Sequence, residues 1–248
     1  MGRAMALAFA RAGADISIGS LLAAKENMKV GGELSFLPGR DELQAARGEI
    51  ERLGVRCLAL GLDVTETESV QAFCDTTIAE LGKIDILANA AGITAEHAIS
   101  GHSEALWRKV MSVNVDGAFR TIRLALPGMI ERKWGRIINI GSEVFHLGVK
   151  PFTAYVAAKG GQNGFNRSLA HELAEWNITV NMVAPGWIPV ERHENDPQEL
   201  KDGYLASIPM GRWGVPQDLD GTVVYLASEA SGFVTGQNIH VNGGTTVH

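Results

Sequence analysis

The amino-acid sequence predicts an α/β domain built on a mostly parallel sheet, and three observations predict it. The apolar runs Gly135-Arg-Ile-Ile-Asn-Ile-Gly141 and Ile178-Thr-Val-Asn-Met-Val-Ala184 have the near-continuous character of strands buried on both faces. Segments with helical apolar spacing separate the strand-like runs, as the crossovers of a parallel sheet require. No composition break or Pro/Ser-rich linker divides the 248 residues, so one domain over 1–248 is expected.

The elements follow in order. Gly2 to Gly13 is Ala-rich with helical spacing and a terminal glycine, and Asp15-Ile-Ser-Ile-Gly19 is a strand. Residues 21–40 form an inserted loop bounded by turn residues, including Gly31-Gly32 and Pro38-Gly39. Asp41–Leu53 is a charged amphipathic helix, Val55–Leu62 a strand, and a helix starts near Glu66. Ile84–Asn89 is a further strand. A helical region from Ser103 to about Arg132 is expected to break at Pro127-Gly128. After the run at 135–141, a helix spans Thr153–Trp176, followed by the run at 178–184. Residues 187–210, rich in charge, suit a mobile substrate lid. A helix opening at Pro216 and a last strand before Gly243-Gly244 complete the chain.

Composition excludes several functions. A net charge of -6 without a Lys/Arg stripe argues against a nucleic-acid partner. No apolar run reaches membrane-spanning length and no signal peptide opens the chain. Cys57 and Cys74 lack CxxC spacing and read as reduced thiols of a cytoplasmic protein. His97 and His102 are five apart, wrong for a shared helical face, so no metal site is expected.

The chemistry concentrates between Ser142 and Lys159. Ser142 follows a buried strand, at the end where a cleft forms in a parallel sheet. Tyr155 and Lys159 are four apart, so on a helix their polar ends converge. An ammonium beside a phenol favours the phenolate, lowering a pKa of ~10 and making proton exchange with an alcohol oxygen feasible near neutrality. Ser142 can hold the same oxygen by hydrogen bond. Alone, Tyr-x-x-x-Lys arises by chance on amphipathic helices more often than it marks catalysis.

Context changes that balance. The chain also carries Asn89-Ala-Ala-Gly92 after a strand, Asn114 in Val-Asn-Val-Asp-Gly, Pro185-Gly186 after another strand, and thirteen residues from Ser142 to Tyr155. Together these resemble the classical short-chain dehydrogenase/reductase family, in its 3-oxoacyl-ACP reductase-like form, from about Gly2 to Gly244. The resemblance implies a Rossmann-type three-layer α/β/α sandwich and a nicotinamide cofactor. It implies Tyr155 as acid/base, Lys159 as its activator and ribose ligand, Ser142 as carbonyl anchor, and Asn114 as holder of a relay water. It also implies cofactor contacts from Gly2, Ser20, Asp63, Val64, Asn89, Ala90, Gly92, Pro185, Gly186 and Ile188, in addition to Tyr155 and Lys159. Asp63 is alternatively a helix N-cap, a role for which Thr65 competes. A homotetramer or homodimer is implied through the 153–176 helix, where Gly160, Gly161 and Gly164 permit close approach.

The sequence departs from the family pattern in three places. Of the Gly-rich phosphate turn only Gly2 is matched, and the preceding first strand is missing; truncation is the expected explanation. Ser20 stands where an acidic residue would select NAD, which leans toward NADP, and Lys25, Lys29 and Arg40 can meet a 2'-phosphate. Val190 replaces a threonine that touches the cofactor, leaving a backbone contact from Ile188.

The expected function is hydride transfer between a nicotinamide cofactor and a small secondary alcohol or ketone, with Arg192 and His193 candidates for recognising the substrate. One rival is a truncated or catalytically silent binding or scaffold relative that no longer holds the dinucleotide. A lyase or epimerase using the same Tyr/Lys pair is another, disfavoured because the chain lacks the extra carboxy-terminal substrate region of such relatives.

Overall fold

The structure is a computed structural model that describes residues 1–22, 37–189 and 197–247. The strands are β1 (Ile16–Ser20), β2 (Cys57–Gly61), β3 (Ile86–Asn89), β4 (Gly135–Ile140), β5 (Ile178–Pro185) and β6 (Asn238–Val241). Every pairing among them is parallel. β1 pairs with β2, Ile16 opposite Cys57, and a second sheet runs β3-β4-β5-β6. Among the described residues no strand joins β1 to β3.

The helices are α1 (Gly2–Arg11), α2 (Arg40–Glu51), α3 (Thr67–Leu81), α4 (Glu104–Met111), α5 (Gly117–Arg132), α6 (Val144–Leu147), α7 (Thr153–Leu173), α8 (Gln198–Ala206) and α9 (Asp220–Ala227). Alternation along the strands sorts them into two layers. Ile138 and Ile140 of β4 point into a core with Met5 and Phe9 of α1, Ile50 of α2 and Val223 and Leu226 of α9. Ile137, between them, points the other way, onto Ile122 and Met129 of α5 and Leu169 and Leu173 of α7. Ile16 and Cys57 from the smaller sheet belong to the first core, so both sheets share one layer of helices.

β4 and β5 are buried at every residue, as their apolar runs predict. Arg136 is the costly member of β4. It is wholly buried, its Nη1 donates to the Gly135 carbonyl at 2.9 Å, and its guanidinium lies 4.5 Å over the Trp134 ring.

Several boundaries differ from the expectation. The helical region does not break at Pro127, which α5 contains. Pro127 and Arg123, one turn earlier, are both exposed, so the carbonyl freed by the missing N–H faces water. The interruption lies at Ser112–Asp116, a π-helical turn in which Gly117 N–H donates to the Ser112 carbonyl. The 153–176 helix closes with a 3-10 turn, Ala174–Trp176, and the helix at Pro216 begins as a 3-10 turn, Pro216–Leu219. Asp63 is not the cap of α3, which starts after Glu66; its Oδ1 instead accepts from the Thr65 N–H at 2.9 Å and hydroxyl at 2.6 Å. Most of the 21–40 insertion, with Lys25 and Lys29, and Val190, Arg192 and His193 of the lid lie outside the described residues.

Candidate active site

One cavity of about 1620 Å³ opens along the carboxyl ends of the strands, the end at which parallel α/β sheets place ligands. Ser20 follows β1 into it, and Asp63 and Val64 follow β2. Asn89, Ala90 and Gly92 reach it from β3, Ser142 from β4, and Pro185, Gly186 and Ile188 from β5. Gly2, at the start of α1, and Tyr155 and Lys159 of α7 complete the lining. Arg40 does not join them; it borders a separate cavity of about 260 Å³ beside Leu43 and Gly61.

Lys159 is held by the end of the adjacent strand. Its Nζ donates to the Ile140 carbonyl at 2.7 Å and to Gln162 Oε1 at 3.0 Å, and lies 5.6 Å from the centre of the Tyr155 ring. Only 3% of the residue is exposed, and burial pushes its pKa down to about 7. The amine therefore titrates near neutrality. Two acceptors fix its position while the apolar surroundings oppose its charge.

Asn114 stands beneath this pair in the π turn and is fully buried. Its Nδ2 donates to the Ile93 and Val110 carbonyls, each at 2.9 Å, tying the loop after β3 to α4. Its Oδ1 is buried with no donor among the described residues. A β-carbon on Gly92 would lie 2.8 Å from that oxygen and 3.7 Å from Lys159 Nζ. Gly92 is therefore the floor that lets the Asn114 acceptor and the Lys159 amine approach one space.

Ser142 and Tyr155 are both half-buried on the cavity wall, with Ser142 Oγ 3.4 Å from the Val144 amide. Glu143, next in sequence, is only 2% exposed. Its N–H donates to the Pro185 carbonyl at 3.3 Å and its Oε2 accepts from Asn242 Nδ2 at 2.8 Å. These bonds tie the ends of β4, β5 and β6 together under Ser142. Burial raises the Glu143 carboxyl above its usual range, which the Asn242 bond partly opposes. Gly186 has the same tight fit, since a β-carbon there would meet the Asn242 backbone at 2.7 Å.

Among the remaining predicted residues, Asn89 reaches the cavity while its side chain is engaged elsewhere. Its Nδ2 donates to Asn139 Oδ1 at 2.9 Å and its Oδ1 accepts from the Thr121 hydroxyl at 2.7 Å. The Val64 carbonyl accepts from Arg120 at 3.2 Å, and Ile188 is 7% exposed against Gly214. Gly2 starts a helix with no acidic residue in its first turn, leaving its amide end uncompensated toward the cavity.

Sequence reasoning missed Gln162, which carries the second Lys159 acceptor, and Glu143. Gln162 lies three residues after Lys159, a helical neighbour spacing that permits the pair without specifying it. A lone carboxylate three residues after a fully buried strand is the signal at Glu143.

Comparison with known proteins adds relatives. Residues 1–246 match the family described as enoyl-(acyl carrier protein) reductase. The chain is 34% identical over 244 residues, 98% of its length, to the 3-oxoacyl-[acyl-carrier-protein] reductase FabG of Staphylococcus aureus (strain Mu50), covering 93% of that relative. Nodulation protein G of Azospirillum brasilense is 39% identical over 208 residues, covering 84% of this chain and 85% of the relative. A solved Sinorhizobium meliloti 1021 structure, assigned to the short-chain alcohol dehydrogenases, superposes with a TM-score of 0.85 at 31% identity, over 98% of this chain and 90% of that one.

Proposed function

Because the chain belongs to the classical short-chain dehydrogenase/reductase family, we infer that it is a nicotinamide-dependent reductase of ketones to secondary alcohols. The observation that carries this is the meeting of Ser142, Tyr155 and Lys159 on one cavity, with the Asn114 oxygen, which has no donor among the described residues, beside the Lys159 amine.

The chemistry of the cavity lining supports a nicotinamide cofactor. Gly92 and Gly186 lie where a β-carbon would collide with Asn114 and Asn242, so the loops after β3 and β5 pack closely against the residues behind the cavity wall. The buried Asn114 acceptor awaits a donor. Gly92, Pro185, Gly186 and Ile188 would flank the nicotinamide, and Lys159 its ribose. Asp63, Val64 and Ser20 would meet the adenosine, Ala90 and the Asn89 backbone would line the sugar path, and the amide end of α1 at Gly2 would face the pyrophosphate. When bound, the cofactor supplies a hydride to the carbonyl carbon.

The protein's own residues handle the oxygen. Ser142 Oγ donates a hydrogen bond to the carbonyl oxygen and fixes its direction. Tyr155 delivers the proton as negative charge builds on that oxygen. Charged Lys159 stabilises the resulting phenolate, and a water bound between Lys159 and Asn114 Oδ1 returns the proton from solvent. The π turn sets this relay by placing Asn114 under Gly92.

The named relatives suggest a 3-oxoacyl thioester as the first substrate and NADPH as the first cofactor; Ser20, in place of an acid, agrees. Open space beside Gly160 and Gly164, and Phe119 at 49% exposure, favour a homodimer or homotetramer packed on α5 and α7. The reading places the enzyme in the cytoplasm, with Cys57 and Cys74 as buried free thiols, each pushed by burial to about 11. No helix among the described residues is long and apolar enough to cross a membrane.

Titration with NADPH and NADH, followed by nicotinamide fluorescence, and then a ketone panel headed by a 3-oxoacyl thioester, tests this reading. Saturable binding with turnover supports it. A folded chain that binds neither nucleotide favours the silent-relative alternative.

A further inference from the structure

Two histidines far apart in sequence present the same ring nitrogen to one atom. His146 lies on α6, the short helix that follows Ser142, and His240 lies on β6, two residues from Asn238 and on the same face of the strand. His146 Nε2 is 3.2 Å from Asn238 Nδ2, and His240 Nε2 is 3.1 Å from that same nitrogen. The ring centres are 4.8 Å apart. An amide nitrogen only donates, so each imidazole turns a lone pair toward it and carries its proton on Nδ1. The far side of His240 agrees, because its Nδ1 donates to Thr246 Oγ1 at 2.9 Å. Sequence spacing cannot reveal this pair, since α6 and β6 meet only in the fold.

Each ring is held in that direction. His146 packs against Phe145, with ring centres 3.9 Å apart, and its N–H donates to the Glu143 carbonyl at 2.9 Å. His240 is steered by Thr246, whose hydroxyl also accepts from Asn242 Nδ2 at 2.7 Å; that nitrogen donates in turn to Glu143 Oε2 at 2.8 Å. His146 is exposed and His240 half-buried, so solvent reaches the pair from the α6 side. None of His146, Asn238 and His240 lines the large cavity.

Two converging imidazole lone pairs suit a transition cation as well as they suit an amide. The amide also carries a third ligand. Asn238 Oδ1 is buried with no partner among the described residues. Turning the side chain about its Cβ–Cγ bond brings that oxygen to the rings and gives up only the two bonds to the imidazoles, which a cation replaces. Reaching a coordination distance of ~2.1 Å takes an inward movement of about 1 Å by each ring. Among the described residues no three His, Cys, Asp or Glu side chains converge on a point, so a cation site here has to combine imidazole with a neutral oxygen. We propose that His146, His240 and Asn238 form a binding site for one divalent transition cation of the Zn²⁺ or Ni²⁺ kind, with water completing its coordination. Thr246 acts through His240, fixing the ring that ligates. A cation bound there clamps α6 to β6. The site is independent of the reductase chemistry proposed above, and its test needs neither nucleotide nor substrate.

Calorimetric titration of the whole, tag-free chain with Zn²⁺ and separately with Mg²⁺, after dialysis against a chelator, tests this together with thermal unfolding. One equivalent of Zn²⁺ per chain should bind saturably and raise the melting temperature. His146→Ala and His240→Ala should each weaken binding roughly a hundredfold and abolish the melting shift, and Thr246→Val should weaken it roughly tenfold. The double variant His97→Ala/His102→Ala removes the other close pair, whose ring centres are 6.0 Å apart, and should bind as wild type does. Melting without metal reports that each variant is folded; a glutamine variant, which keeps more of the side-chain volume, replaces any alanine variant that does not melt cooperatively. The absence of saturable Zn²⁺ binding by wild type would overturn the proposal. So would undiminished binding by the His146 or His240 variant, loss of binding in the His97/His102 variant, or Mg²⁺ binding as tight as that of Zn²⁺, since imidazole does not suit Mg²⁺.

Discussion

Asn114 Oδ1 lies 2.8 Å from the point where a β-carbon on residue 92 would stand, so the glycine after β3 and the asparagine of the π turn share one space. Neither neighbour can give way cheaply: Asn114 is fully buried and its amide nitrogen is fixed by two carbonyls. Gly92→Ala should therefore destabilise the fold by roughly 1–3 kcal/mol, as overpacking does, and lower turnover by displacing the relay oxygen. Urea unfolding and kcat, measured together, check it; wild-type values for both would show that the space is loose.

Removing Asn114 exposes a different cost. Asn114→Ala leaves the Ile93 and Val110 carbonyls buried without their side-chain donor, at about 1–3 kcal/mol in total. Asn114→Asp retains the volume but replaces the donating amide with carboxylate oxygens facing those carbonyls. Thermal unfolding should rank wild type above both variants, with kcat reduced in each.

Lys159 makes stability depend on pH. Its pKa falls from 10.5 unfolded to about 7 in the fold, so the unfolded chain binds more protons between these values. Stability attributable to this group therefore rises with pH from about 7 toward 10.5. In Lys159→Met the rise should be missing, so the melting temperature of wild type minus that of the variant should increase as pH rises from 7 toward 10. A difference independent of pH would show that the amine is not desolvated.

Glu143 has the opposite sign. Its carboxyl is raised above 4.5 by burial, so its contribution is complete below that value and is lost as pH rises through the folded pKa. Glu143→Gln retains an acceptor for Asn242 and cannot ionise. Its melting temperature should fall less than that of wild type on going from acid to neutral pH, with the Ser142 geometry preserved and KM little changed.

Much of the candidate site was legible because strand ends are legible. The apolar runs ending at Ile140 and Ala184 locate β4 and β5, and Ser142, Pro185 and Gly186 follow from them. The helical spacing of Tyr155 and Lys159 needs only α7 to bring both to the cavity. The π turn at Asn114 was not legible, because a single wider turn barely disturbs the apolar period, whereas Pro127 is a conspicuous but false break when the carbonyl it frees faces water. Arg40 illustrates another limit: proximity in sequence to Ser20 does not tell which side of α2 a side chain leaves from. The 3.0 Å bond between Gln162 and Lys159 required coordinates, since i, i+3 neighbours on α7 also include pairs that point apart.

The most direct test of the central claim is the NADPH-linked reduction of a 3-oxoacyl thioester by wild type and by Tyr155→Phe, which removes the phenolic proton and keeps the ring. The account predicts measurable wild-type turnover and a loss of roughly 10²–10⁴-fold in kcat for the variant, with nucleotide binding unchanged. Equal turnover by the two proteins would contradict Tyr155 as the proton donor and the mechanism built on it.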